Sequence, residues 1–324
     1  EAYDLKLYEL KGGNKIPTEA QLELNYTPHL YWVLNNVTDA GTSRVYELVQ
    51  EEKKGDDTNA IALIDNGEAI EVKRKGNSVL NYQYAITPAP DGVSKLFARG
   101  GYIHPLNSPK GSTLTRIQPP DHYHHYGLWN PWTHTVLEDT TRQNKETALR
   151  ETLKVRVWNA GDAEKATIMD HTSTYVCGTE NPLTLTKYRY QGFGFRARAN
   201  WDDNNTFLLT SEGKNKKDGN GTRAKWSIIS GPTENGKSGV LFMTYPTNYN
   251  FPELVRIWPE GANNGTENVF INFNPTMDRD WKLNPGKQYA LKYRVVLFEG
   301  EMDANAAERY WNDFANPPQI DITY

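Results

Sequence analysis

Four of the seven histidines in this chain lie between His104 and His125. They fall in two stretches, Gly101-Tyr102-Ile103-His104-Pro105-Leu106 and Asp121-His122-Tyr123-His124-His125-Tyr126-Gly127-Leu128-Trp129. Imidazole exchanges a proton near neutral pH, so such a cluster suits general acid and base catalysis. In an extended chain His122 and His124 would share one face and His125 the other, whereas a turn at Pro119-Pro120 would let all three converge. His-x-His is also a metal-ligand spacing, and His122 with His124 is the pair that would hold a divalent ion if a third ligand arrived from elsewhere. Leu128 and Trp129 stand where a cupin-like site would carry a carboxylate, so the expectation is a site without a cofactor. A set of histidines that only satisfies carbonyls in a polar turn is common for one residue and hard to sustain for four.

The elements that hold these residues are strands. The chain has 324 residues, a formal charge of −4 and 23% charged residues without a Lys or Arg block, which argues against a nucleic-acid partner. Apolar runs such as Val240-Leu241-Phe242-Met243 fall far short of the roughly 20 residues that span a bilayer as a helix. Cys177 is the only cysteine, which excludes an intrachain disulfide and a multi-cysteine zinc site and suits a small buried hydrophobe. Period-two alternation at Leu153, Val155 and Val157, and again at Leu291, Tyr293 and Val295, marks half-buried strands. Asn66-Gly67, between the apolar runs that begin at Ala60 and Ala69, predicts a tight hairpin with positive φ at the turn. Gly, Asn and Pro breaks cut the rest into short strands.

The predicted architecture is an all-β antiparallel sandwich over residues 1–324, with an N-terminal β subdomain over 1–95 as the alternative. One helix is expected near the C-terminus, capped by Asp303, with Ala304, Ala307, Trp311 and Phe314 on one face and Asn316-Pro317-Pro318 ending it. The segment Ser211 to Arg223 reads as an exposed loop. A chain beginning at Glu1 fits a processed signal peptide, so the expected location is secreted or periplasmic.

The histidine stretch resembles the Asp-His-Pro-His-His-Arg-Gly-Leu-Trp signature of the bacterial family that carries the label PmoA, a domain of unknown function found among polysaccharide-degrading bacteria. His104-Pro105-Leu106, Ser108-Pro109-Lys110-Gly111, Tyr190-Gln191-Gly192-Phe193-Gly194-Phe195-Arg196, Thr210-Ser211-Glu212-Gly213 and Pro285-Gly286 through Arg294 resemble the same family in order, over roughly residues 80 to 315. The resemblance implies a secreted carbohydrate-active protein with a sandwich similar to galactose mutarotases and many polysaccharide lyases. A membrane methane oxygenase, as the label suggests, would need spanning helices that the sequence lacks. Tyr123 stands for the signature's Pro, Tyr126 for its Arg, and Tyr245-Pro246 for an expected His-Pro.

An acidic oligo- or polysaccharide then becomes the expected partner, and β-elimination between C4 and C5 of a uronic acid the expected chemistry. Such a site needs a base for the C5 proton, an acid for the departing oxygen and a counter-charge for the carboxylate. Candidates for acid and base are His104, His122, His124, His125 and Tyr190, with Arg196 or Arg256 as the carboxylate clamp and Tyr126, Trp129 and Trp226 as sugar contacts. Loss of a sugar would make the enzyme a polysaccharide lyase, and loss of water an oligosaccharide dehydratase. Glycoside hydrolysis is the alternative, with Glu151, Asp170, Glu212 and Glu253 as available carboxyls. A non-catalytic sugar-binding module, stacking pyranoses on Trp129, Trp132, Tyr190 and Trp226, is the third reading.

Overall fold

The computed structural model describes residues 3–23, 28–34, 38–39, 41–52, 61–138 and 147–323. Glu1 and Ala60 lie outside these. The alternating apolar pattern resolves into two antiparallel sheets laid face to face. The larger has nine strands in the spatial order Thr222–Ala224, Glu253–Ile257, Phe270–Asn274, Phe193–Arg196, Leu128–Trp129, Tyr102–Leu106, Asn77–Gln83, Ala69–Arg74 and Ile61–Asp65. The smaller has six, in the order Leu149–Val157, Ala166–Cys177, Gln288–Glu299, Gly236–Thr244, Trp226–Thr233 and Phe207–Thr210. The protein is thus an all-β sandwich.

The core between the sheets follows from the strand period of two. In Phe193–Arg196 the two phenylalanines point inward, where Phe193 stacks on Tyr293 at 4.3 Å between ring centroids and Phe195 meets Phe242 at 5.0 Å. Each such ring, fully buried, contributes roughly 2 kcal/mol through removal of apolar surface from water. Gly194 and Arg196, on the alternate positions, point away from this core to the outer face of the large sheet. Cys177 is buried in the core, as its type suggests.

The helix forms where its pattern places it, over Ala304–Ala315, with the Asp303 carboxylate accepting from the Ala306 amide at 2.7 Å. It covers the outer face of the smaller sheet: Trp311 Nε1 donates to the Thr244 carbonyl and Trp226 Nε1 donates to Glu308. The Asn66-Gly67 hairpin also forms, joining Ile61–Asp65 to Ala69–Arg74, but only Gly67 takes positive φ. The Asn66 side chain instead accepts from the Glu68 and Ala69 amides, so an Asx turn bends the chain without the second left-handed residue. A separate three-stranded sheet is built from Tyr3–Lys11, Asn14–Thr18 and Val45–Glu52. Ile61–Asp65, Ala69–Arg74 and Asn77–Gln83 complete one edge of the large sheet.

Glu253 begins a strand of that sheet yet is fully buried between the layers, accepting from Asn248 Nδ2 at 2.8 Å and Tyr293 Oη at 3.0 Å. Burial pushes its carboxyl up to about 8, against the opposing bonds from Asn248 and Tyr293. The folded state therefore keeps a proton that the unfolded chain releases above pH 4.5, and stability falls as pH rises from about 4.5 to about 8. Thermal melts of Glu253→Gln across that window are expected to show a flatter pH dependence than the parent. An unchanged slope would place the titration elsewhere.

Candidate functional site

The outer face of the large sheet is crossed by two neighbouring rows of side chains, set by register. Phe270 pairs with Arg196, whose amide donates to the Gly127 carbonyl, while the Trp258 amide donates to the Phe270 carbonyl. One row therefore runs Trp258, Phe270, Arg196, Gly127. The next runs Arg256, Asn272, Gly194, Trp129. A Cβ on Gly194 would meet the Trp129 ring at 3.6 Å, an ordinary van der Waals contact, so the indole lies over this position of the sheet.

Over these rows folds a loop closed by the Ile117↔Tyr126 bridge and by the Gln118 amide donating to the His125 carbonyl. Two successive turns shape it, His122 N–H to Pro119 O at 2.8 Å and His125 N–H to His122 O at 2.9 Å. The stretch is bent rather than extended, and all three histidines converge. Ring centroids are 5.3 Å apart for His122 and His124, 4.8 Å for His122 and His125, and 4.7 Å for His124 and His125. His125 lies deepest, stacked on Phe270 at 4.8 Å and 5.3 Å from Trp129. Tyr190 stands 5.8 Å from both His124 and His125.

A hydrogen-bonded chain ties the loop to the sheet. Arg196 Nη2 donates to Asp121 Oδ2 at 2.8 Å and to the Glu267 carbonyl at 2.7 Å, and the same Asp121 oxygen lies 3.0 Å from His122 Nδ1. The guanidinium lies over the Trp258 ring, 4.4 Å from its centroid. Burial lowers Arg196 to about 10, helped by the like charge of Arg116 and opposed by Asp121. Burial alone would raise Asp121, but its bonds to His122 and Arg196 hold it below the usual carboxylate value. His125 is pushed far down by burial and then by Arg196, and His124 is lowered by burial and then by His122, Arg99 and Arg196. Both rings are thereby held neutral near pH 7. Burial raises Tyr190, which keeps its phenol protonated.

Several buried polar atoms at this spot have no partner: His125 Nδ1, Tyr190 Oη, Arg196 Nε and Nη1, and Asn272 Oδ1. Each such atom costs about 1 to 3 kcal/mol when left unpaired. The open side belongs to His122, whose side chain is 36% exposed, to His124, and to Arg99. Arg99 is exposed and has no ion-pair partner among the described residues, and its charge reaches His124, Tyr126 and Tyr190.

The structure redistributes the other sequence-derived candidates. His104 shares the outer face, next to Gly127, but its ring packs on none of the cluster rings. Its Nδ1 is bonded to Thr115 Oγ1 at 2.9 Å, and burial lowers it to about 4. Arg196 is no open clamp: its side chain is 0% exposed and already bonded to Asp121, so it acts on the cluster through that carboxylate. Arg256 lies on the outer face, half-buried, bonded to Asn220 Oδ1 at 3.1 Å. Tyr126 is buried, its ring tilted against Tyr102, with its hydroxyl donating to the Phe97 carbonyl and accepting from Gln118, so it holds the loop. Trp226 sits beneath the C-terminal helix on the far sheet, away from the cluster. Trp129 is nearly all covered, and Trp132 packs against Tyr175 and Trp281 instead of offering an open platform.

None of the four carboxyls considered for hydrolysis touches the cluster. Asp170 pairs with Arg294, Glu253 is in the core, and Glu151 and Glu212 are exposed on other segments. The acid that does is Asp121, first residue of the histidine motif, and its position beside His122 was the available signal. Arg99, Trp258 and Phe270 carry no local signal at all. Among the described residues no three His, Cys, Asp or Glu side chains are arranged to hold a metal ion, and no helix is long and apolar enough to cross a membrane.

Asp121→Asn removes the charge that pairs buried Arg196 and is expected to cost about 3 kcal/mol in urea unfolding. The double variant Asp121→Leu/Arg196→Met should recover much of that loss, since no lone charge is then left buried. A single variant as stable as the parent would show that Arg196 does not depend on this carboxylate.

No functionally curated protein matches the sequence. The model of a family of unknown function, DUF6807, matches residues 69–141 and 138–312, a span that holds the histidine loop, Tyr190, Arg196 and both rows of the outer face. With most of its length matched across both sheets, the chain belongs to the DUF6807 family.

Proposed function

We propose that this protein is a carbohydrate-active carbon–oxygen lyase that eliminates across C4 and C5 of a uronic-acid residue. The observation that carries the reading is the open pair His122 and His124, one backed by Asp121 and the other kept neutral, with the unpaired Arg99 beside them. The likeness of the motif to the PmoA-labelled proteins of polysaccharide-degrading bacteria supports a saccharide substrate and an exported enzyme.

The chemistry divides between the two rings. His124, neutral at rest, takes the C5 proton, and the released electron pair forms the C4–C5 double bond as the C4–O bond breaks. Asp121 fixes Nδ1 of His122 and supplies the counter-charge for its protonated ring, leaving Nε2 to give a proton to the departing oxygen. Arg99 pairs with the carboxylate on C5, which acidifies the neighbouring C–H. Arg196 positions Asp121 from below. Whether the departing oxygen belongs to a sugar or to water separates a polysaccharide lyase from an oligosaccharide dehydratase.

Incubation with uronic-acid oligosaccharides is expected to raise ultraviolet absorbance from the conjugated double bond. His122→Ala and His124→Ala should each lower turnover by about 100-fold or more, the usual contribution of a positioned acid or base. Arg99→Ala should act mainly on KM. No absorbance with acidic oligosaccharides of several linkages would end the proposal. Because His124 must be deprotonated and burial depresses its pKa, the acid limb of kcat/KM is expected below the ordinary histidine value of 6.5. A limb above that value would assign the base to another group.

A further inference from the structure

On the far side of Trp129 from the histidine loop, the large sheet is left open. The strand Leu128–Trp129 pairs with Tyr102–Leu106 only at Leu128↔Ile103, and beyond it the two chains part at Asn130 and Gly101. The gap leads into a cavity of about 200 Å³ between the sheets, with Trp129, Tyr102, Leu128 and Leu153 among its walls. His171 and Asn130 line its polar side, and Tyr82 and the exposed Glu151 lie toward its mouth. His171 is almost fully buried, and its Nδ1 has no hydrogen-bond partner; neither has Asn130 Oδ1. The Asn130 amide nitrogen is already used, donating to Ser173 Oγ and Tyr175 Oη, which fixes the free oxygen in place.

We propose that this cavity binds one neutral, hydroxyl-rich ring of monosaccharide size. Its volume is below the roughly 300 to 1,000 Å³ of pockets for drug-sized ligands, which suits a single ring. Aromatic walls take the C–H face of such a ring, while its hydroxyls, each both donor and acceptor, satisfy His171 Nδ1 and Asn130 Oδ1. A wholly apolar ligand would leave both atoms unpaired and buried. An anion meets the Glu151 carboxylate at the mouth with no Lys or Arg in the lining. Burial lowers His171 to about 4, so the imidazole meets the ligand uncharged.

The pocket stands apart from the elimination reading, since a neutral sugar has no carboxylate for that reaction and the two proposals fail on different assays. The test is ligand-observed NMR titration of the full chain with glucose, galactose, mannose and xylose, and with glucuronate in parallel. At least one neutral sugar is expected to bind saturably, and glucuronate more weakly. Leu153→Trp, which fills the cavity from its rim without cutting a hydrogen bond, should weaken neutral-sugar binding by about tenfold or more, a loss comparable to removing a well-made contact. His122→Ala, beyond Trp129, should leave it unchanged. Should Leu153→Trp fail to fold, Glu151→Lys at the exposed mouth serves instead, and is expected to bring glucuronate up to the neutral sugars. The proposal is overturned if no neutral sugar binds, which would leave the cavity to water, or if folded Leu153→Trp binds as the parent does, or if Glu151→Lys leaves the preference against glucuronate intact.

Discussion

A guanidinium withdrawn from water must be met by anions or carbonyls, and Arg196 finds Asp121 and the Glu267 carbonyl through Nη2. The rest of the site follows from that one bond. Asp121 lies on the loop and Arg196 on a central strand, so the loop cannot lift without stranding a charge under Trp258. With Asp121 held, His122 Nδ1 has a fixed partner, and the two turns that follow bring His124 and His125 against it. The Arg196 amide closes the other end on the Gly127 carbonyl. One residue thus anchors the loop by side chain and backbone together.

The same strand shows how the sandwich separates stability from chemistry. Phe193 and Phe195 face the core, and Gly194 and Arg196 face outward, with no residue serving both layers. Gly194 lies beneath the Trp129 ring, and Arg196 organises the loop. Burial then sorts the titratable groups. His125, pressed on Phe270, becomes a neutral wall, His124 a neutral ring with access to solvent, and His122 a part-exposed ring with a carboxylate behind it. Leaving Arg99 unpaired at the opening costs little because the side chain stays hydrated.

Local pattern revealed a good part of this. Alternation at Leu291, Tyr293 and Val295 and the Asp303 cap are short-range signals, and the strand and helix form where they point. The density of histidine around residues 122–125 marked the centre of the site, and the Pro119-Pro120 turn offered the bend that makes the rings converge. Trp226 was out of reach of such reasoning. Tryptophan suits a sugar platform and a helix–sheet interface equally, and only the docking of the C-terminal helix decides which it serves. Tyr126 and Arg196 have the right chemistry for substrate contact, yet the loop and Trp258 cover them.

The sequence by itself determined that the chain is a β protein, which side chains alternate along each strand, and that a cluster of histidines sits at residues 122–125. Those properties depend on neighbours within a few residues, where the strand period and turn chemistry act. Tertiary structure alone decided that Trp258, Phe270, Arg196 and Gly127 form one row, since these positions come from strands far apart in the chain and are joined only by hydrogen-bond register. It also decided which histidines are neutral and which arginine is free. A pKa or an open face depends on burial, and burial is a property of the packed sheets and the loop laid over them.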